Sequence, residues 1–411
     1  MKIHLIGIGG IGVSALAQYY LSKGHKVTGS DLASSEITED LQKKGIKVFI
    51  GKQKSKNISK DLDLVVHSPA VKKDNPEYKK AKQFKIKTQS YPEALGQLTK
   101  EYYTVAVAGA HGKSTTTAMI ALVLTQAGLD PTVIVGTRVK EFENSNFRAG
   151  KSKILVIEAC EYDSSFLHYE PKIIVVTNID KEHLDYFKTF ANVKKSFEKF
   201  MAKLPSDGCL VKDVSLEHPD AGKIKNILQV PGKHNVVNAL SALQVARFLQ
   251  VPDQITFKAL SEFAGTWRRF EEKNSKFKNL KIISDYGHHP NEIKATFQAV
   301  REKYPKEIVW CVFQPHQHQR TFYLFDDFVK TFQEANINKI ILTDIYDVAG
   351  RETKTISNKI SSEKLAKKVS KESVIYLPIK KIENYVKGNI SKGDVLVVMG
   401  AGDIYLLADK F

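Results

Sequence analysis

Short apolar runs, each closed by a polar loop and followed by a stretch of helical periodicity, recur through the 411-residue chain. Ile154-Leu155-Val156-Ile157, Ile173-Ile174-Val175-Val176, Ile340-Ile341-Leu342 and Val395-Leu396-Val397-Val398 are examples. Runs this short, without polar alternation, read as strands buried on both faces, and their alternation with helices indicates parallel sheets covered on both sides. In such folds ligands sit beyond the carboxyl ends of the strands. The rhythm divides into three blocks, 1–96, 97–266 and 267–411. Cores stop growing at roughly 250–300 residues, so more than one domain is expected.

Other classes fall away. No stretch approaches the ~20 apolar residues of a membrane span, and Met1-Lys2-Ile3-His4-Leu5-Ile6 leads into a strand pattern without signal-peptide architecture. Cys160, Cys209 and Cys311 are scattered and lack metal-ligand spacing, which points to a reducing compartment and a cytoplasmic protein. The formal charge of +17 comes from lysines spread along the chain. No aromatic-interleaved basic stripe or helix-turn-helix pattern accompanies them, so neither nucleic acid nor membrane is expected as a partner.

The first block opens with Gly7-Ile8-Gly9-Gly10-Ile11-Gly12 between a strand and a helix pattern. Glycines there let the backbone approach a pyrophosphate, whose charge a helix N-terminus favours. Asp31 follows at the end of the second strand, the place of an acid that meets a ribose. NAD and another nucleotide diphosphate are both open on this evidence. The second block carries Gly109-Ala110-His111-Gly112-Lys113-Ser114-Thr115-Thr116. Backbone amides at a helix start cradle ATP phosphates, Lys113 neutralises β/γ charge, and the Ser114 hydroxyl suits Mg²⁺. Glu158 closes a strand facing this loop and is the oxygen ligand Mg²⁺ prefers. Glu161 and Asp163 follow, and Glu161 reads as solvated. His183, an unusual Mg²⁺ ligand, reads equally as a hydrogen-bonding loop residue.

The third block clusters its polar groups at strand ends: Trp267-Arg268-Arg269-Phe270, Asp285-Tyr286-Gly287-His288-His289-Pro290, and Phe313-Gln314-Pro315-His316-Gln317-His318-Gln319-Arg320. His288 and His289 are open as a zinc pair, but neighbours in sequence rarely converge on one ion. Arginines and histidines here fit anion clamps better.

These motifs, with Thr177-Asn178-Ile179, Pro231-Gly232-Lys233-His234-Asn235 and Gly400-Ala401-Gly402-Asp403, occur in an order that resembles the Mur ligase family over nearly the whole chain. The resemblance implies an α/β protein of three domains. These are an N-terminal Rossmann-like domain for a UDP-sugar (1–96), a central P-loop ATPase with a mostly parallel sheet (97–266), and a C-terminal Rossmann-like domain for an amino acid (267–411). It implies ligation of L-alanine to UDP-N-acetylmuramate with ATP and Mg²⁺, in peptidoglycan precursor synthesis. The alternatives are a recycling ligase adding a preformed peptide and a non-catalytic nucleotide-binding module.

Carried over residue by residue, Gly7, Gly9, Gly10, Gly12, Asp31 and Ser68 meet the UDP-sugar. Gly109, Ala110, His111, Gly112, Lys113, Ser114 and Thr115 meet ATP phosphates, with Ser114, Glu158 and His183 on the metal. His234, Asn235 and Asn238 match the adenine side, and Arg268 and Asp285 match nucleotide contacts from the third domain. Tyr286, His288, His289, His316 and Arg320 match the amino-acid cleft, and domain closure is expected to assemble the whole. Two departures stand out. Gln317 occupies a position where the family often has arginine, leaving Arg320 as the carboxylate clamp, and the segment between Gly208 and Pro231 is shorter than usual.

Overall fold

The computed structural model describes residues 1–275, 277, 279–347 and 354–411. It is the expected α/β protein with three mostly parallel sheets. The first sheet comprises β1 (Lys2–Ile6), β2 (Lys26–Asp31), β3 (Lys47–Ile50), β4 (Leu64–His67) and β5 (Lys87–Ser90), in the order β3-β2-β1-β4-β5. Its pairings are parallel, with Ile3 opposite both Val27 and Leu64. The chain leaves β1 toward one edge and later returns to its other side, so a crevice opens beyond Ile6.

The second sheet holds β6 (Tyr103–Ala108), β7 (Thr132–Val139), β8 (Ser145–Arg148), β9 (Ile154–Glu158), β10 (Ile173–Val176) and β11 (Cys209–Val211). Its order is β11-β10-β6-β9-β7-β8, with only β8 antiparallel. β6 is central, and the helix that follows it, Lys113–Gln126, is buried from Ser114 to Leu124.

The third sheet contains β12 (Glu271–Asn274), β13 (Lys281–Asp285), β14 (Val309–Phe313), β15 (Lys339–Leu342), β16 (Val374–Tyr376) and β17 (Val395–Met399). The order is β12-β13-β17-β14-β15-β16, with β12 antiparallel. Strand alternation sorts its side chains into two cores. Val309, Cys311, Phe313, Val395, Val397 and Met399 enter one, and Trp310, Val312, Leu396 and Val398 the other. This two-sided burial is what makes the runs continuously apolar in sequence.

By packing, the chain forms two compact units. The first comprises Met1–Asp180, Ala191–Asp220 and Asn238–Phe263 and holds the first two sheets; the second comprises Lys181–Phe190, Ala221–Val237 and Ala264–Phe411 and holds the third. Within the first unit the two sheets' layers are tied by a buried polar contact. Asn146 accepts from Gln18 Nε2 at 2.8 Å and donates to Ser14 Oγ at 2.8 Å. Arg138 also bridges Glu36 and Asp40 at 2.9 and 2.8 Å.

Candidate active site

In the first unit, the crevice beyond β1 gathers the first glycine loop. The Gly7 amide donates to the Ser30 carbonyl at 2.8 Å, and the Gly9 amide to Asp31 Oδ2 at 2.8 Å. Gly10 caps the helix Ile11–Ser22, and a Cβ on Gly12 would come within 2.7 Å of the Tyr91 ring. Ser68 lies against Gly7, since a Cβ there would be 2.9 Å from Ser68 Cβ. The structure thus brings Gly7, Gly9, Gly10, Gly12, Asp31 and Ser68 together. Asp31 holds the loop's shape through an amide that also suits an anion.

The second glycine loop closes β6. Gly109 (φ 138°) and Gly112 (φ 82°) adopt backbone conformations that L side chains rarely reach. A Cβ would also meet Thr177 Oγ1 at 2.0 Å from Gly109, and Asn238 Oδ1 at 2.5 Å from Gly112. Thr177 and Asn178, just past β10, cinch the loop. Thr177 Oγ1 donates to the His111 carbonyl at 2.5 Å, the His111 amide donates to Asn178 Oδ1 at 3.0 Å, and Ala110 donates to the Asn178 carbonyl at 3.0 Å. His111 Nε2 lies 3.2 Å from Asp180. Lys113 opens the buried helix, followed by the buried Ser114 and Thr115.

Two carboxylates face this loop. Ser114 Oγ donates to Glu158 Oε2 at 2.7 Å, and the Gly136 amide donates to the same oxygen at 2.8 Å. Glu161, expected to be solvated, is 1% exposed and lies 3.0 Å from Lys113 Nζ. The correction has a plain cause: a buried ammonium needs a counter-charge, and the turn after β9 delivers one. Burial works against the Lys113 charge, yet the Glu161 carboxylate outweighs it and holds the ammonium's pKa above the ordinary lysine range. Burial, with Glu161 as the largest neighbouring charge, lifts the adjacent Cys160 thiol to about 12, so it is no nucleophile. Ser114 and Glu158 together offer hard oxygen donors, a set that fits Mg²⁺. Asn238 belongs to this unit and sits at the phosphate loop itself.

In the second unit, Arg268 is 5% exposed. Its guanidinium lies over Tyr405 at 4.2 Å and Tyr286 at 5.0 Å and donates to the Gly400 and Gly402 carbonyls. Asp285 accepts from the Phe270 and Gly287 amides at 2.8 Å each and from Thr296 Oγ1 at 3.3 Å, and burial raises its pKa. Both side chains are thus engaged in shaping their own loops. Arg269, which the motif reading passed over, pairs with the partly exposed Glu292 at 3.4 Å. His234 is exposed beside Gly232, and Asn235 Nδ2 donates to the Pro231 carbonyl at 2.7 Å.

The loops after β13 and β14 converge. His289 caps the helix Pro290–Lys303, its Nδ1 accepting from the Asn291 amide at 3.3 Å. His288 Nδ1 lies 3.0 Å from the Tyr286 carbonyl, and its ring centre is 5.7 Å from that of His316. These are separate tasks, which does not suit a zinc pair. Arg320 Nη1 reaches His316 Nδ1 at 3.2 Å, while Nη2 reaches Glu182 Oε2 at 3.4 Å. Glu182 is a second acid that the motif reading missed, and with Arg320 it lines a small cavity shared with His183, Gln317 and Tyr323. Burial would raise the Glu182 carboxyl, but Arg320 foremost, then His183 and His289, holds it far below the usual range. Burial, aided by Arg320, lowers His288 to about 4. His183 stands just before the helix Leu184–Phe187 with φ 55°.

Three family models match the chain in succession. They are the Mur ligase family catalytic domain over residues 2–103, the Mur ligase middle domain over 107–218, and the Mur ligase glutamate ligase domain over 268–402. A UDP-N-acetylmuramate--L-alanine ligase from Acetivibrio thermocellus is 40% identical, the alignment covering 100% of this chain and 95% of that one. The chain belongs to the Mur ligase family. A UDP-N-acetylmuramate--L-alanine ligase from Clostridium botulinum is likewise 40% identical over 100% of this chain and 97% of its own. Among solved structures, the UDP-N-acetylmuramate-alanine ligase of Thermotoga maritima superposes with a TM-score of 0.81 at 28% identity, covering 100% and 98% of the two chains. A murein peptide ligase from Psychrobacter arcticus shares the fold at 22% identity and a TM-score of 0.72. Membership makes this Mur ligase ATP-dependent. Among the described residues no helix is long and apolar enough to cross a membrane.

Proposed function

We propose that this Mur ligase joins L-alanine to UDP-N-acetylmuramate in the cytoplasm, through an acyl phosphate made at the expense of ATP. One observation carries the reading: Ser114 and Glu158 share a hydrogen bond beside Lys113 at the ends of β6 and β9. That arrangement stands in a chain 40% identical over its full length to relatives named for this reaction. We assign 1–96 to the UDP-sugar, 97–266 to ATP and 267–411 to the amino acid.

A carboxylate is a poor electrophile and must be activated. The sugar acid attacks the γ-phosphate, ADP leaves, the neutral amine attacks the acyl phosphate, and phosphate departs. In such phosphoryl transfer, positioning and charge neutralisation supply most of the rate. The loop amides from Gly109 to Thr115 and the Lys113 ammonium orient the triphosphate. Ser114 and Glu158, with His183, would hold Mg²⁺, which neutralises phosphate charge when bound.

Asn238 lies at the loop, with His234 and Asn235 on the adenine side. Because Arg268 and Asp285 are engaged internally, the nucleotide contact passes to Arg269, while those two set its loop. Arg320 binds the amino-acid carboxylate, with Tyr286, His288 and His316 around it and His289 fixing the helix start. A ring with a pKa near 4 is a hydrogen-bond partner rather than a strong base.

The test is phosphate release with ATP, Mg²⁺ and UDP-N-acetylmuramate against a panel of free amino acids and a tripeptide. Release stimulated by L-alanine is expected. Turnover with the tripeptide alone would move the chain to the peptide-adding ligases, and release independent of the sugar acid would reject ligation.

A further inference from the structure

The Lys113 ammonium has three N–H donors, and its surroundings offer three acceptors. Two are carbonyls of its own loop, Gly109 and, at 3.1 Å, Ala110. The third is the Glu161 carboxylate, 3.2 Å away at Oε1 and 3.0 Å at Oε2. The carbonyls are fixed by a loop that Thr177 and Asn178 hold in place. Glu161 is the acceptor that can give way, so a phosphate oxygen arriving at Nζ takes its place.

We infer that Glu161 is the resident counter-ion of Lys113, a positioning residue that the triphosphate displaces and whose freed charge makes nucleotide binding depend on a divalent cation. This rests on reading the loop as the triphosphate site. After the exchange, Glu161, Glu158 and the phosphates crowd negative charge into a buried corner where solvent screens little. A divalent cation relieves that repulsion. A purely structural Glu161 behaves differently: removing its charge strips a buried lysine of its partner, loosens the loop, and weakens every ligand. The two roles differ in the sign of their effect.

Titration calorimetry of the full chain with β,γ-imido-ATP, in EDTA and in Mg²⁺, separates them. Glu161→Gln keeps the size and loses the charge, so metal-free binding tightens by roughly tenfold, and Mg²⁺-supported binding changes by much less. Glu161→Asp, which keeps the charge, stays near wild type in both media. Weaker or unchanged metal-free binding by Glu161→Gln would overturn the inference, as would equal tightening in both media. Lys113→Ala is the control for the site itself. If it binds the analogue as wild type does, the triphosphate reading fails; if it loses binding, that reading stands and the Glu161 result is decided on its own.

Discussion

Arg320 and Glu182 show how one ion pair serves two ends. Both side chains are less than a tenth exposed and lie 3.4 Å apart. Removing one partner of such a pair leaves a buried charge uncompensated and destabilises strongly, whatever its role in binding. Arg320→Ala alone therefore mixes two effects. Arg320→Ala combined with Glu182→Gln removes the orphaned charge and isolates the clamp. Charge-assisted hydrogen bonds contribute roughly 1.5–3 kcal/mol, so the double variant is expected to raise the KM for L-alanine by about ten- to a hundredfold. Steady-state kinetics with each substrate varied in turn would check this. An L-alanine KM at the wild-type value, or a matching rise for ATP, would take the clamp away from Arg320.

At the level of elements, the turn after β13 is a device for burying a neutral imidazole. Asp285 organises the turn, Pro290 starts the helix, and His288 is left 15% exposed among Arg320, Glu292, Glu182 and the Tyr286 carbonyl. Its pKa drops from 6.5 to about 4. Between those values the unfolded chain binds more protons than the folded one, so this contribution is complete above about pH 6.5 and is lost as pH falls toward 4. At full size it is on the order of 3 kcal/mol. Glu182, held below the usual carboxylate range, adds a separate loss at still lower pH. Both tryptophans, Trp267 and Trp310, belong to the second unit, so their fluorescence follows its unfolding. Urea midpoints in wild type should fall from pH 7 to 4.5, and His288→Gln should flatten that slope. An unchanged slope would show that the imidazole is not the titrating group.

The same turn shows what could be read beforehand. The strand and its buried face were legible because a continuous apolar run is a local property, and the glycine loops because their backbone demands are local too. Which of Arg268 and Arg269 turns inward was not, because Arg268 (φ 57°) and Phe270 (φ 49°) break the alternation of an extended chain. Glu161 and Glu182 were missed for a related reason. An acid looks solvated until the cation it faces is known, and both cations arrive from distant sequence.

For the molecule as a whole, the charge is unevenly placed. Residues 43–87 contain fourteen lysines and four acids, and one of those acids, Glu77, is buried against His4, Ser30 and Asn57. The lysines fall into two sets. Lys52, Lys54, Lys72 and Lys73 are exposed in loops beyond the carboxyl ends of β3 and β4, the end where the first glycine loop lies, whereas Lys26, Lys47 and Lys87 are exposed at strand starts. A UDP-linked sugar acid carries several negative charges, while L-alanine is a zwitterion, so a basic field steers the first and not the second. Raising salt from about 0.01 to 0.1 M contracts the screening length from about 30 to 10 Å. The expected result is a severalfold loss of kcat/KM for UDP-N-acetylmuramate with kcat and the L-alanine KM nearly constant. Replacing the four loop lysines by serine should remove most of that salt dependence, and replacing Lys26, Lys47 and Lys87 should leave it. Equal effects from the two sets would mean that total charge, rather than its placement around the crevice, governs capture of the nucleotide sugar.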